Sequence, residues 1–172
     1  VNLLYSLVLK EVVIIDVMII ALGFVLRAWA GAVVIDVTFD TGLSLCTFLL
    51  ALFLGFGKRR HELVLLGENE ATSHRVSLRH YSPYFLDQLI GVVTASVVVV
   101  YILYVISPSV EQKLGTDLLW TTTPFVLYGV FRYLYLVHIC EEGGSPTSLL
   151  LTDMPLLVNV LLWIVAVGIL LY

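Results

Sequence analysis

Long apolar runs, broken by short polar stretches, organise this chain. Five are long enough, or nearly so, to cross the hydrocarbon layer of a bilayer, at about 12–35, 43–56, 84–106, 118–137 and 155–172. Their apolar residues follow helical spacing or none, and the short alternating segments of an outer-membrane barrel are absent. The pattern predicts an all-α integral membrane protein, one transmembrane domain over 1–172, with no internal repeat and no soluble domain. The second run is short and is expected to continue as helix through GKRRHEL. Ser82 before Pro83, and Asp153 ahead of Pro155, each put a capping side chain in front of a proline at a helix start. Pro124, after three threonines, is expected to bend the fourth helix, with threonine hydroxyls satisfying freed carbonyls.

Composition agrees with lipid as the solvent. Of 172 residues 60% are hydrophobic and 13% charged, and the mean hydropathy is +1.02. A soluble fold of this size has no means of hiding that much apolar surface. The formal net charge of −4 says little about partners, and no nucleic acid is expected. Cys46 lies in an apolar run and Cys140 in a polar loop; without metal-type spacing they read as unpaired thiols. The opening VNLLYSLVLK has no n-region or cleavage site and reads as the tail of an earlier segment, so the chain is expected to be a piece of a longer protein.

The cations set the expected orientation. Lys58, Arg59, Arg60, Arg75 and Arg79 lie between the second and third runs, and Lys10 and Arg132 fall toward the same face, with Lys113 opposite. The positive-inside rule then puts that face, together with CEEGGSPTS, in the cytoplasm and the C-terminus outside. The expected location is the inner (plasma) membrane, with the site facing the cytoplasm.

Charges at membrane depth are functional candidates by default. Asp16 and Arg27 are eleven residues apart, almost three turns, so they share a helix face with Gly23 and Gly31. That stripe reads as lining a cavity or packing closely on a neighbour. The ordinary alternatives are an Arg27 that snorkels to the interface and an Asp16 that caps or pairs. Arg132, near Tyr128 and Tyr133, is either an interfacial arginine or an anion ligand. In the continued second helix Lys58 and Glu62 share a face at i,i+4, with Arg59 and His61 flanking. A topogenic stop explains the cations but not the glutamate, nor His74, Arg75, Arg79, His80 and Tyr81 nearby. Clustered cations suit phosphates, and a carboxylate among them suits a metal that bridges phosphates. DVTFD, residues 36–40, falls on the opposite face and reads as a solvated turn; Gly143–Gly144 reads as a turn, without the strand and lysine of a phosphate loop.

LYSLVLK, IIDVMIIALGFVLRAWAGAVVIDV, GKRRHEL, SHRVSLRHYSPYFLDQL, PFVLYGVFRYLYLVH and GGSPTSLLLTDMPLL together resemble the decaprenyl-phosphate phosphoribosyltransferase branch of the UbiA prenyltransferase superfamily, over essentially the whole chain. The resemblance implies a UbiA-type bundle of nine transmembrane helices around a cavity open to the cytoplasm, of which this chain is similar to the last five. It implies transfer of 5-phosphoribosyl from phosphoribosyl pyrophosphate to a polyprenyl phosphate lipid. Mg2+ and fixed cations stabilise the departing pyrophosphate, and no protein nucleophile is required. Tyr5 and Lys10 match a pyrophosphate-contacting element. Lys58, Arg59 and Glu62 stand where prenyl-transferring members carry a second aspartate-rich motif, which makes Glu62 the metal-side and catalytic candidate. Arg75, Tyr81 and Arg132 are candidate phosphate contacts, Arg27 a candidate substrate contact, and Asp16 a candidate for orienting a cation or the ribose. The family's first aspartate-rich motif, NDxxDxxxD, is not in this sequence, so the chain alone is expected to be inactive. A homo-oligomer or an N-terminal half on a separate chain are the expected partners. The alternatives are a UbiA-type prenyltransferase acting on an aromatic acceptor, and a non-catalytic membrane subunit or transporter segment.

Overall fold

The computed structural model describes residues 14–34, 36, 40–74 and 81–171, the side chains of 66–74 excepted. The described residues form α1 (Ile15–Val34), α2 (Thr41–His74), α3 (Pro83–Val105), α4 (Pro108–Leu114), a 3-10 helix (Leu118–Thr122), α5 (Thr123–His138), α6 (Pro146–Thr152) and α7 (Met154–Leu171). Four stretches, Ile15–Val34, Thr41–Leu65, Pro83–Val105 and Met154–Leu171, are long and apolar enough to cross a membrane. The second expected run does continue as helix: α2 carries GKRRHEL and is 34 residues long. At 1.5 Å per residue that is about 50 Å, well beyond a hydrocarbon core of about 30 Å.

The fourth expected span is built in two parts. The 3-10 helix gives way to α5 at Thr123, and Pro124 sits in the first turn of α5. Proline there lacks only an N–H that has no intrahelical partner anyway, so it starts a helix where it was expected to bend one. The threonines do satisfy carbonyls: Thr121 donates to Leu118 O at 2.7 Å and Thr122 to Leu119 O at 2.6 Å. Because the Thr122 hydroxyl proton is spent on Leu119, Tyr101 donates to Thr122 (2.6 Å) and receives Trp163 Nε1–H (3.2 Å). This chain of donors joins α3, the 3-10 helix and α7 at membrane depth, where no water would satisfy them.

Local chemistry fixes the other starts. Ser82 Oγ accepts from Phe85 N ahead of α3, Ser145 Oγ from Ser148 N ahead of α6, and Asp153 Oδ1 from Leu156 N ahead of α7. Asp40 accepts from Gly42 N at 2.7 Å and opens α2. Packing centres on α2, with α1 on one side and α3 on another; α5 pairs with α7. The core takes Val17 and Ala21 from α1, Phe53 and Phe56 from α2, Leu86 and Ile90 from α3 and Val137 from α5. The outer faces of α1 and α7 expose Leu22, Leu26, Trp29, Leu161, Ile164 and Ile169, a surface that suits lipid and not water.

Candidate functional site

One end of the bundle collects the charges. It is made by the start of α1, the 58–62 stretch of α2, the approach to α3, the end of α5 and the segment leading into α6. Asp16 and Arg59 are nearly sealed from solvent, at 1% and 3% exposure. Arg59 Nε donates to Asp16 Oδ2 at 3.0 Å and its Nη1 to Glu62 Oε2 at 2.9 Å. Tyr81 donates to the second Asp16 oxygen at 3.2 Å and accepts from Ile14 N at 2.6 Å. Burial pushes the Tyr81 phenol well above its ordinary value, so it stays a proton donor. Ile14 has a left-handed backbone, φ 71°, an uncommon conformation for a β-branched residue.

The adjacent cations are committed differently. Arg60 donates to Asp87 at 2.6 Å and to the Val137 carbonyl at 3.1 Å, and His138 reaches the same Asp87 oxygen at 3.1 Å. Arg60 therefore ties α2 to α3 and α5. Lys58 is exposed and has no ion-pair partner among the described residues. Summed as ionised groups, Asp16, Lys58, Arg59 and Glu62 are neutral, with one cation unpaired.

Beside this cluster runs a groove of about 510 Å³ between α1 and α2. Val17, Ile20, Phe24, Leu50 and Leu54 line its length, and Lys58 and Arg59 its charged part. Close helix approach shapes it: a Cβ on Gly55 would lie 2.6 Å from Val17 Cγ1. Such a cavity fits an amphiphile whose chain lies on the apolar walls and whose anionic head meets Lys58 and the spare N–H groups of Arg59. A second cavity of about 420 Å³ lies between α2, α5, α6 and α7, sharing Leu50, Leu54, Pro146 and Thr147 with the first.

The sequence candidates divide accordingly. Asp16, Arg59, Glu62 and Tyr81 come together, with Lys58 adjacent. Arg27 does not join them. It is exposed, about 16 Å up α1 from Asp16, with its guanidinium 5.5 Å from the Phe24 ring. Gly23 and Gly31, on the stripe expected to line a cavity or pack closely, have nothing within 4 Å of a Cβ position. The close approach falls to Gly55 because α1 meets α2 along its Val17–Ala21 side. Arg132 grips Asp153 with two bonds, 3.1 and 2.7 Å, and lies 5.0 Å from the Tyr135 ring. Its charge is paired with Asp153, as that of Arg59 is with Asp16 and Glu62. Tyr5, Lys10 and Arg75 lie outside the described residues.

Magnesium does not fit these residues alone. Both Asp16 oxygens are taken, one Glu62 oxygen is bonded to Arg59, and no group of three His, Cys, Asp or Glu that would hold a metal gathers among the described residues. Asp87 and the wall residues Pro146 and Thr147 were not singled out from the sequence. A carboxylate near the start of an apolar helix is an available signal for Asp87.

The chain is thus an all-α integral membrane protein with a buried ion network at the head of an apolar groove. No family model matches it. It is 30% identical, over its full length, to a decaprenyl-phosphate phosphoribosyltransferase of Mycolicibacterium smegmatis, covering 55% of that protein. It is also 30% identical over 90% of its length to the decaprenyl-phosphate phosphoribosyltransferase of Corynebacterium glutamicum, covering 46% of that one. The chain spans about half the length of the curated relatives it matches.

Proposed function

We propose that the chain is part of a membrane phosphoribosyltransferase that transfers 5-phosphoribosyl from phosphoribosyl pyrophosphate to a polyprenyl phosphate. The observation that carries this is the apolar groove running to Lys58 beside Arg59, in a chain similar along its length to two enzymes of that name. A polyprenyl chain suits the apolar walls, and its phosphate suits the unpaired Lys58 ammonium. Arg59 is held rigidly by Asp16 and Glu62, so its remaining N–H groups are fixed donors. Tyr81 keeps Asp16 oriented. A lipid phosphate oxygen held there attacks C1 of the ribose; the new C1–O bond forms as the bond to pyrophosphate breaks, and pyrophosphate carries away the electron pair.

The donor's binding groups include Tyr5, Lys10 and Arg75 in this reading. Magnesium enters with the donor, whose phosphates bring oxygen ligands of their own. The charged end faces the cytoplasm across the inner membrane, and the 172 residues alone are inactive until joined by the remainder of a longer protein, another copy or a separate chain.

The test is transfer from labelled phosphoribosyl pyrophosphate by the full-length protein in vesicles. Label on polyprenyl phosphate, with pyrophosphate released in equal amount, is expected. Turnover of a prenyl diphosphate with an aromatic acceptor, and none of the sugar donor, would overturn the proposal.

A further inference from the structure

His61 belongs to the same stretch of α2 as Lys58 and Glu62 but, among the described residues, reaches no ion-pair partner and does not line the groove. Its Nδ1 lies 2.7 Å from the Glu141 carbonyl oxygen and 3.1 Å from Gly143 N. The ring therefore meets an acceptor and a donor at one nitrogen: protonated on Nδ1 it donates to Glu141, and protonated on Nε2 it accepts from Gly143. Either tautomer holds the segment.

The turn is shaped around this ring. A Cβ on Gly143 would lie 2.9 Å from His61 Cβ and 3.0 Å from the Gly57 carbonyl oxygen, and one on Gly144 would lie 2.7 Å from His61 Nε2. Gly144 has no room for a side chain while the imidazole is there, and Gly143 has none against His61 Cβ and the backbone of α2. Glu141, with φ 55°, bends the chain into the turn, and Glu142 N closes the end of α5 on Leu136 O at 2.9 Å. Ser145 then caps α6. The first two residues of α6, Pro146 and Thr147, line both cavities, as do Leu50 and Leu54.

We infer that His61 is a positioning residue: clasped by the Gly143–Gly144 turn, it fixes Pro146–Thr147 as the partition between the two cavities. The partition sets the wall against which the apolar part of a ligand in the first groove lies. The consequence for lipid binding rests on the polyprenyl phosphate reading above; the clasp itself does not.

The experiment uses the full-length protein in nanodiscs, with Cys46 and Cys140 replaced by serine. It compares wild type, His61→Phe, which keeps a ring but no hydrogen bond, and His61→Asn, whose amide can stand in for Nδ1. Spin labels at Thr147→Cys and Gln112→Cys, two exposed positions, read the partition directly. A narrow distance distribution that broadens in His61→Phe and narrows again in His61→Asn is expected. In the transfer assay His61→Phe should raise KM for polyprenyl phosphate about five- to tenfold, the worth of one hydrogen bond. KM for phosphoribosyl pyrophosphate should change less than about twofold, and His61→Asn should restore most of the loss. An unchanged distribution in His61→Phe overturns the clasp. A broadened distribution with unchanged lipid KM overturns its link to the acceptor. Should the wild type transfer no phosphoribosyl at all, the functional reading fails while the distance measurement still decides the clasp.

Discussion

Arg59 is held from two sides in a site almost closed to water, whereas Lys58, one position earlier, faces outward. A helix forces this difference, because adjacent residues point about 100° apart. The two cations therefore have different energetics. Truncating Asp16 to alanine leaves a buried guanidinium with half its partners, which costs about 3–5 kcal/mol when a buried pair is broken from one side. Asp16→Asn keeps an acceptor for Tyr81 and should cost less. Lys58→Ala should change stability by less than about 0.5 kcal/mol, as for an exposed residue without a partner. Thermal unfolding of the full-length protein in detergent checks all three. The sequence singled out Asp16, Arg59, Glu62 and Tyr81 one at a time, from their depth or their place in a motif. The resemblance makes Asp16 a candidate for orienting a cation, but that this cation is Arg59, 43 residues away, and that Tyr81 meets Asp16 across 65 is not legible. Helical spacing tells which face a side chain occupies, not which helix covers that face. For the same reason Arg60 counts in the sequence only toward orientation, although Asp87 and Val137 O take it up.

Helix starts were legible because capping is local chemistry. Ser82, Asp153 and the continuation of α2 through GKRRHEL are found as the sequence implies. The two-part fourth span was less so: a proline after threonines reads equally as a bend or as a start, and neighbouring α3 and α7 decide it through Tyr101 and Trp163. Gly143–Gly144 reads as a turn, but α6 after it is not legible, since a helix so short carries too few apolar positions to show a period. The tie between α5 and α7 gives a prediction at this scale. The Arg132 guanidinium holds the Asp153 carboxyl below its ordinary value of 3.8. The unfolded chain then binds that proton more readily than the folded one. The stabilisation is complete above the ordinary value and is lost as pH falls below 3.8 through the depressed folded value. Arg132→Gln should lower Tm at pH 7, and the difference from wild type should shrink as the pH is taken below about 4. A difference independent of pH would mean that the guanidinium packs and does not pair.

At the scale of the whole molecule, the described helices place the charged network at one end of an apolar groove, and the relatives are about twice as long. The 172 residues expressed alone in vesicles should transfer no phosphoribosyl group, while the full-length protein should. Activity of the shorter chain would mean that its own residues suffice for both substrates. Phosphate binding at the Lys58 end of the groove is tested most directly by the KM of the full-length protein for polyprenyl phosphate, in wild type, Lys58→Ala and Lys58→Arg. Loss of one charge-assisted hydrogen bond should raise KM about 10- to 100-fold in Lys58→Ala, with Lys58→Arg recovering part of it. An unchanged KM in Lys58→Ala, with the protein folded, would contradict the claim that the lipid phosphate is bound there.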